Sequence, residues 1–265
     1  MGLFSRNKKQ DSDKYYIKNL EKKRTLTNEE LFGISLSLII AEQNGAYVDS
    51  LEVGKTDYPQ KQMMQRNWRI YDRDTAIDFI KSRMREGHRK LFNRLLEIYI
   101  QQDCVDAVYI DFAGTEFEIK ENLENLDYED EGEDETDDYT LNWQDVIDYL
   151  ENLDAVYELD DANAWFGDME DDLKVGTDAW DFGRIVFVVR VCYTLGYISE
   201  NEAWVCIDQI VKMAKQKFDN WDSYATSYML GRAMWMGDDG DWERIAGFAG
   251  DALDAKQSPW PKLKW

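Results

Sequence analysis

The chain has 265 residues, 14% of them aromatic, and a formal net charge of −23 at pH 7. This length and aromatic content exclude a wholly disordered chain and allow one large domain or two small ones. The charge is concentrated: residues 121–173 hold 22 Asp and Glu and no Lys or Arg, which leaves 32 acids and 31 bases in the other 212 residues. Nucleic acids and anionic membranes need basic surfaces, so neither is an expected partner, and a basic protein is favoured.

The cysteines and the single histidine restrict the chemistry. Cys104, Cys192 and Cys206 are an odd number without paired spacing, which is typical of reduced cysteines in a cytoplasmic protein. With His88 as the one histidine, a His-rich metal site is excluded, and the sequence contains no phosphate-binding glycine motif or nucleophile elbow. We therefore expect no metal or cofactor, and we expect neither a secretory leader nor a membrane-spanning helix.

The N-terminal part begins with a basic segment. Residues 1–24 carry eight Lys or Arg against three acids, and they are interpreted either as a frayed tail or as a basic arm that meets the acidic block or a partner. Residues 25–120 form the predicted N-terminal helical half. Thr27 and Glu30 have capping-box spacing, so a single helix is expected after them, ending before Asn44.

Three more segments complete this half. A proline indicates a loop over 55–60, which a short helical turn follows. Asp72 is the expected N-cap of a helix that ends at Gly87, and another helix begins directly afterwards. Residues 104–119 fit a small β-hairpin and a helix equally well.

An acidic linker or insertion is predicted at 121–140, followed by a C-terminal helical half at 141–255. This half opens with an amphipathic helix, a weaker helix around 155–166 and an acidic loop at 168–172. Nine of the twelve residues from 127 to 138 are acidic. The candidate surface for a basic partner consists of these nine: Asp127, Glu129, Asp130, Glu131, Glu133, Asp134, Glu135, Asp137 and Asp138.

The centre of the predicted fold is the segment 177–204. Its stretch from 185 to 195 contains one charged residue and is apolar nearly all round, as in a buried helix. The β-branched residues there would also suit a strand, but the ends of the stretch favour a helix. Thr177 or Asp178 can cap the first amides, and Gly196 lies where a left-handed C-terminal residue is expected.

A second helix follows at once, because Ser199 and Glu202 have capping-box spacing. The two helices are therefore expected to form a tight, buried hairpin. Asn220 is the expected N-cap of the next helix, and a shorter one is predicted at 241–253. The tail at 256–265 contains two prolines and is expected to lie extended.

Charged and aromatic residues within these apolar helices form the candidate site. Buried charges are costly unless they are paired, so these residues are expected to meet as ion pairs. Such a network is either structural or a polar pocket that recognises a small anion or a partner's side chain. The cluster consists of Asp181, Arg184, Arg190, Glu202, Arg232 and Trp235.

Two stretches resemble a known family. NWRIYDRDTAIDFIKSRMREGHRKLF at 67–92 and AWDFGRIVFVVRVCYTLGYISENEAW at 179–204, with GRAMW at 231–235, are similar to the bacterial domain of unknown function 1266 family. The resemblance extends from about Leu31 to about Trp242 and implies no activity, because none is established for the family. On this match the family pattern includes Trp68, Gly87, His88, Arg89, Trp180, Asp181, Arg184, Gly196, Tyr197, Glu202, Ala203, Trp204, Gly231, Arg232 and Trp235.

The sequence thus predicts an all-α fold of roughly seven to ten helices around a central hairpin. Our first functional hypothesis is a protein–protein interaction module with an acidic surface, in its most concrete form an immunity protein or antitoxin that neutralises a basic toxin. The alternative is an enzyme or small-ligand-binding protein that uses the Asp/Arg/Glu cluster. A purely structural helical scaffold is a third class, which no sequence feature separates from the first.

Overall fold

The computed structural model describes residues 16–21, 24–54, 58–101, 143–159, 166 and 169–265. These residues form helices and no strand, which confirms the all-α class. None of the helices in these ranges combines the length and apolar content that crossing a membrane requires. Outside the described residues lie most of the predicted basic arm, the ambiguous segment at 104–119 with Cys104, and the acidic run at 127–138.

Helices account for most of the described residues. In chain order they are α1 (Asn28–Ser35), α2 (Leu38–Gln43), α3 (Tyr58–Trp68), α4 (Arg73–Arg85), α5 (Gly87–Gln101), α6 (Trp143–Leu159), α7 (Met169–Val175), α8 (Asp178–Thr194), α9 (Glu200–Lys217), α10 (Trp221–Met236), α11 (Trp242–Asp254) and a 3₁₀ turn (Trp260–Lys262).

Helix α8 is the centre of the fold, as predicted. From Ala179 to Cys192 only Arg184 is not fully buried, and helices from both predicted halves pack around α8. Its neighbours are α1, α2, α4 and α5 from the N-terminal half and α9 and α10 from the C-terminal half. An apolar surface on every side is what such a position requires.

The central hairpin is confirmed, with one correction at its start. Gly196 has φ +75° and ends α8, and Ser199 and Glu202 form the predicted capping box on α9. Thr177 is the N-cap of α8, but its side chain makes no capping bond. Both its amide and its hydroxyl donate instead to the side-chain oxygen of Asn93, at 2.7 Å and 3.0 Å.

The single helix predicted after Thr27 is wrong, because it is broken into α1 and α2. The carbonyl of Ser35 accepts a hydrogen bond from Trp260 Nε1, and the carbonyl of Leu36 accepts one from the Tyr224 hydroxyl, both at 2.8 Å. In a continuous helix these carbonyls would accept amides four residues further on. At the break, these two carbonyls accept hydrogen bonds from aromatic side chains that are distant in sequence.

Helix α3 begins earlier than predicted, within the expected loop at 55–60. Pro59 lies in its first turn, where proline is well accepted because the amides of that turn have no helical partner.

The predictions for the acidic region and the tail also need correction. Helix α6 runs without interruption to Leu159, through the start of the weaker helix predicted at 155–166. Where an acidic loop was expected, α7 forms and buries Leu173. The tail is not extended throughout, because Trp260 is 1% exposed and lies in a 3₁₀ turn. Burial of this indole outweighs the extended preference of the prolines beside it.

Close packing of α8 and α10 depends on Gly231. A Cβ atom at this position would lie 2.3 Å from Trp180 Cβ and 2.6 Å from Trp180 Cγ, atoms too near the backbone to move away cheaply. We therefore predict that Gly231→Ala lowers the free energy of unfolding by about 1–3 kcal/mol. The matched control is Gly247→Ala on α11, where a Cβ meets nothing within 4 Å and the helix gains about 0.5–1 kcal/mol. Urea unfolding of both variants checks this, and equal stabilities would contradict it.

Candidate functional site

The start of α5 is pressed against α8 at Asp181. Gly87 has φ +58°, a left-handed conformation that lets the chain turn from α4 directly into α5. A Cβ atom on Gly87 would lie 2.1 Å from Asp181 Oδ2, so this position excludes any side chain. The Arg89 amide donates to the same oxygen at 2.8 Å. The helix N-terminus thus meets a carboxylate, which its dipole favours.

Asp181 is almost fully buried and is stabilised as an anion. Arg89 Nη1 lies 3.3 Å from Asp181 Oδ2, and His88 Nδ1 lies 3.5 Å from Oδ1. Burial acts to raise the pKa of Asp181, but the contacts with His88, the Arg89 amide and the charge of Arg184 outweigh it and lower the pKa. Asp181 and Arg89 form the ion pair that joins α5 to α8.

Arg184, one turn after Asp181, has a different environment. Its Nη1 lies 3.3 Å from His88 Nδ1, and its guanidinium carbon lies 4.8 Å from the Trp180 ring centroid and 5.6 Å from that of Trp235. Across the described ranges, no carboxylate lies within ion-pair distance of it. Its Nε and Nη2 atoms have no hydrogen-bond partner there and are not sealed from solvent. Burial lowers the pKa of Arg184, but an arginine stays charged.

His88 lies between the two charged groups. Its Nδ1 lies 3.3 Å from Arg184 Nη1 and 3.5 Å from Asp181 Oδ1, so it accepts from the first or donates to the second according to the tautomer. Burial lowers the pKa of His88, as does the charge of Arg184, against the opposite influence of Asp181. The ring also packs edge-on against Trp235, with centroids 4.5 Å apart. At neutral pH this histidine is therefore uncharged and carries one N–H.

Tyr228 of α10 also contacts Trp180. Its ring meets Trp180 edge to face at a centroid distance of 5.1 Å. In the described part of the chain its hydroxyl has no hydrogen-bond partner, and the charges of Arg184 and Arg232 both act on it. Burial raises the pKa of this hydroxyl, so it stays protonated and able to donate. We call this set the Arg184 cluster: Arg184, His88, Tyr228, Trp180 and Trp235.

The other predicted site residues lie elsewhere. Arg190 is fully buried and donates to the Ser37 hydroxyl at 2.9 Å and to the carbonyls of Tyr47 and Ser50, the latter at 3.0 Å. Burial lowers the pKa of Arg190 to about 10. It fixes the connection after α2 to α8 and takes no part in the Arg184 cluster.

Glu202 and Arg232 are also separate. Glu202 caps α9 on the surface and accepts from Arg73 at 2.5 Å, and its contacts with Ser199 and Arg73 lower its pKa to about 2. Arg232 pairs with Asp239, with Nη2 and Oδ1 2.6 Å apart. Of the six residues predicted as one cluster, the structure brings together Asp181, Arg184 and Trp235.

Three of the five additional family-pattern residues join them. His88, Arg89 and Trp180 lie in or beside the Arg184 cluster, as described above. Trp68 packs near Phe79, with ring centroids 6.4 Å apart, and Trp204 donates through Nε1 to Glu200 at 3.3 Å on the surface. Within the described ranges, no three His, Cys, Asp or Glu side chains are grouped so that they could hold a metal ion.

Sequence reasoning missed Tyr228 and Asn93. Tyr228 lies in the helix predicted after Asn220, and nothing in the sequence marks its hydroxyl as unpartnered. Asn93 lies four residues after Arg89 and thus on the same face of α5. This spacing is the one sequence signal that Asn93 also faces α8. Its amide nitrogen donates to Asp178 Oδ2 at 2.8 Å, which fixes the first turn of α8.

Most of the chain matches one known protein family. A family model described as "Protein of unknown function (DUF1266)" matches residues 63–265. The chain belongs to the DUF1266 family. Neither a curated protein nor a solved structure matches it. The match confirms the resemblance to this family. It begins at residue 63, later than the start predicted near Leu31, and it continues to the last residue. The whole Arg184 cluster of this DUF1266 protein lies inside the matched region, whereas α1 and α2 precede it.

The buried pair between Asp181 and Arg89 should dominate the stability of this region. We predict that Asp181→Asn lowers the free energy of unfolding by about 3–5 kcal/mol, because the buried Arg89 then loses its nearest carboxylate and keeps only Asp178, whose Oδ1 lies 3.9 Å from Arg89 Nε. Glu202→Gln is the matched control, since it removes the same charge from an exposed pair and keeps the capping bond; its effect should be much smaller. Urea unfolding at neutral pH measures both, and comparable losses would contradict the assignment.

The lowered pKa of His88 predicts a pH dependence. Its folded-state pKa lies below the ordinary 6.5, so the unfolded chain binds the proton more readily. The stability that the neutral His88 contributes should be fully present above about pH 6.5 and should be lost as the pH falls toward the lower folded-state pKa. In His88→Gln this component is absent, so the loss between about pH 7.5 and 5.5 should be smaller than in the wild type. Urea unfolding across this range tests it, and parallel curves for the two proteins would refute it.

Proposed function

We propose that this DUF1266 protein recognises an anion through the guanidinium of Arg184. The observation that supports the proposal is a partly buried arginine, held between two tryptophans, that has no carboxylate partner in the described structure. A buried charge is normally paired, because its desolvation is costly. Cation–π contact with Trp180 and Trp235 offsets part of that cost and leaves the N–H groups at Nε and Nη2 unused.

The groups around Arg184 favour an anion over a neutral ligand. Arg184 Nε and Nη2 and the Tyr228 hydroxyl are hydrogen-bond donors, and the neutral imidazole of His88 carries one N–H as well. A planar guanidinium with free edges suits two parallel hydrogen bonds to a carboxylate or a phosphate. We therefore propose a carboxylate or phosphate group, on a small molecule or on a partner's side chain, as the ligand. The proposal is one of binding, because the cluster contains no nucleophile beside a general base.

The single histidine provides a direct test of this proposal. In protein labelled with ¹³C-histidine, one imidazole signal reports on the Arg184 cluster. We expect inorganic phosphate or acetate, titrated at constant ionic strength against chloride, to shift this signal with saturation. Arg184→Lys keeps the charge but loses the planar fork, so affinity should fall by about tenfold or more.

The control for this titration is Arg244→Lys, which changes an exposed arginine paired with Asp241. It should leave the titration curve unchanged. A signal that does not respond to either anion, or an equal response in wild type and Arg184→Lys, would contradict the proposal.

A second candidate is the interaction module suggested by the acidic run. The supporting observation is the 22 acids without a base at 121–173, which would accelerate encounter with a basic protein at low salt. Affinity capture at low and moderate salt with the intact chain and with a 127–138 deletion would test it. A basic protein retained by the intact chain alone would support it, and equal recovery would contradict it. We place either activity in the cytoplasm, as the unpaired cysteine spacing suggests.

A further inference from the structure

A second surface, distant from the acidic run in sequence, lies between α4 and α9. Here the two helices border an open depression of about 460 Å³. On each helix the lining residues recur at three- and four-residue spacing and thus share one face. We call this surface the basic groove, and its lining residues are Lys81, Met84 and Arg85 on α4 and Gln209, Lys212 and Met213 on α9.

The basic groove combines an apolar base with a cationic rim. Met84 and Met213 pack against the hydrophobic core with part of their surface uncovered. Lys81 and Lys212 make no ion pair within the described structure, whereas Arg85 lies 3.2 Å from Glu86. The same face of α9 continues to Val205, which is 49% exposed. An exposed valine in line with two methionines extends the apolar strip beyond the depression itself.

We infer that the basic groove binds an acidic amphipathic helix of a partner protein. Methionine side chains adapt their shape to an apolar helix face, which is how other helix-binding grooves accept their targets. Lysines on both sides of the groove would pair with acids that flank the apolar residues of that helix. The chain has a net charge of −23, so long-range repulsion opposes an acidic partner. Recognition of that partner therefore depends on short-range contacts with Lys81 and Lys212. The partner is thus defined by charge complementarity, and the site is distinct from the Arg184 cluster.

A synthetic peptide tests the inference on the full-length protein. The probe is a fluorescein-labelled helical peptide with leucines at three- and four-residue spacing and glutamates beside them. Fluorescence anisotropy should show saturable binding, weakened by about tenfold in Lys81→Glu/Lys212→Glu because two attractive contacts become repulsive. Replacing the glutamates of the peptide by glutamines, or its leucines by alanines, should weaken binding to the wild type as well.

The matched control is Lys256→Glu/Lys262→Glu, which changes the net charge by the same amount at two exposed lysines outside the groove. Its binding should remain close to that of the wild type. An equal loss of peptide affinity in both double variants would attribute the effect to overall charge and overturn the inference. The absence of saturable binding to the wild type below about 1 mM would overturn it as well. Analytical ultracentrifugation completes the test: a dimer of the wild type that Lys81→Glu/Lys212→Glu dissociates would assign the groove to a second copy of this chain, against the inference.

Discussion

The burial of one ionised carboxylate, Asp181, determines how α5 meets α8. An anion inside a helical core is tolerated only when donors surround it, and here they all come from the start of α5. This requirement explains why Gly87 must lack a side chain and why Arg89 points inward. It also explains the position of His88, which the same turn of α5 delivers to the edge of α8. The Arg184 cluster is therefore a consequence of how Asp181 is satisfied.

Four arginines in the core differ in the groups that neutralise their charge or accept their hydrogen bonds. Arg89 has Asp181, Arg232 has Asp239, and Arg190 has a set of carbonyl and hydroxyl acceptors. Arg184 has a neutral imidazole, two aromatic rings and, beyond ion-pair distance, the charge of Asp181. Aromatic faces stabilise a cation but accept none of its in-plane hydrogen bonds. In the described structure the Nε and Nη2 atoms of Arg184 have no hydrogen-bond partner and are not sealed from solvent, so the functional proposal starts from Arg184.

Much of the fold follows from local signals, because those signals lie within a few residues of each other. The capping boxes at Thr27 and Ser199 and the glycine at Gly196 set helix ends that the structure reproduces. The break between α1 and α2 could not be predicted in this way. It accompanies hydrogen bonds from Tyr224 and Trp260, which lie 188 and 225 residues further along the chain. Contacts over such separations leave no local periodicity.

The candidate site shows the same limit. Sequence reasoning selected Asp181, Arg184 and Trp235 because charged and aromatic residues stood out in apolar helices. It grouped Arg190 with them because both arginines lie on α8, although six residues of helix turn the two side chains toward different neighbours. Residue type indicated that these charges need partners. Their actual partners depended on the packing of α2, α5 and α10, which one sequence does not contain.

Helix α4 connects the two proposed binding surfaces. Its last turn gives the carbonyls of Arg83 and Met84 to the guanidinium of Arg89, which in turn holds Asp181. The side chain of Met84 meanwhile lines the basic groove. The backbone that positions the groove is thus hydrogen-bonded to the residue that anchors the Arg184 cluster. The two surfaces therefore share the last turn of α4 as a structural support.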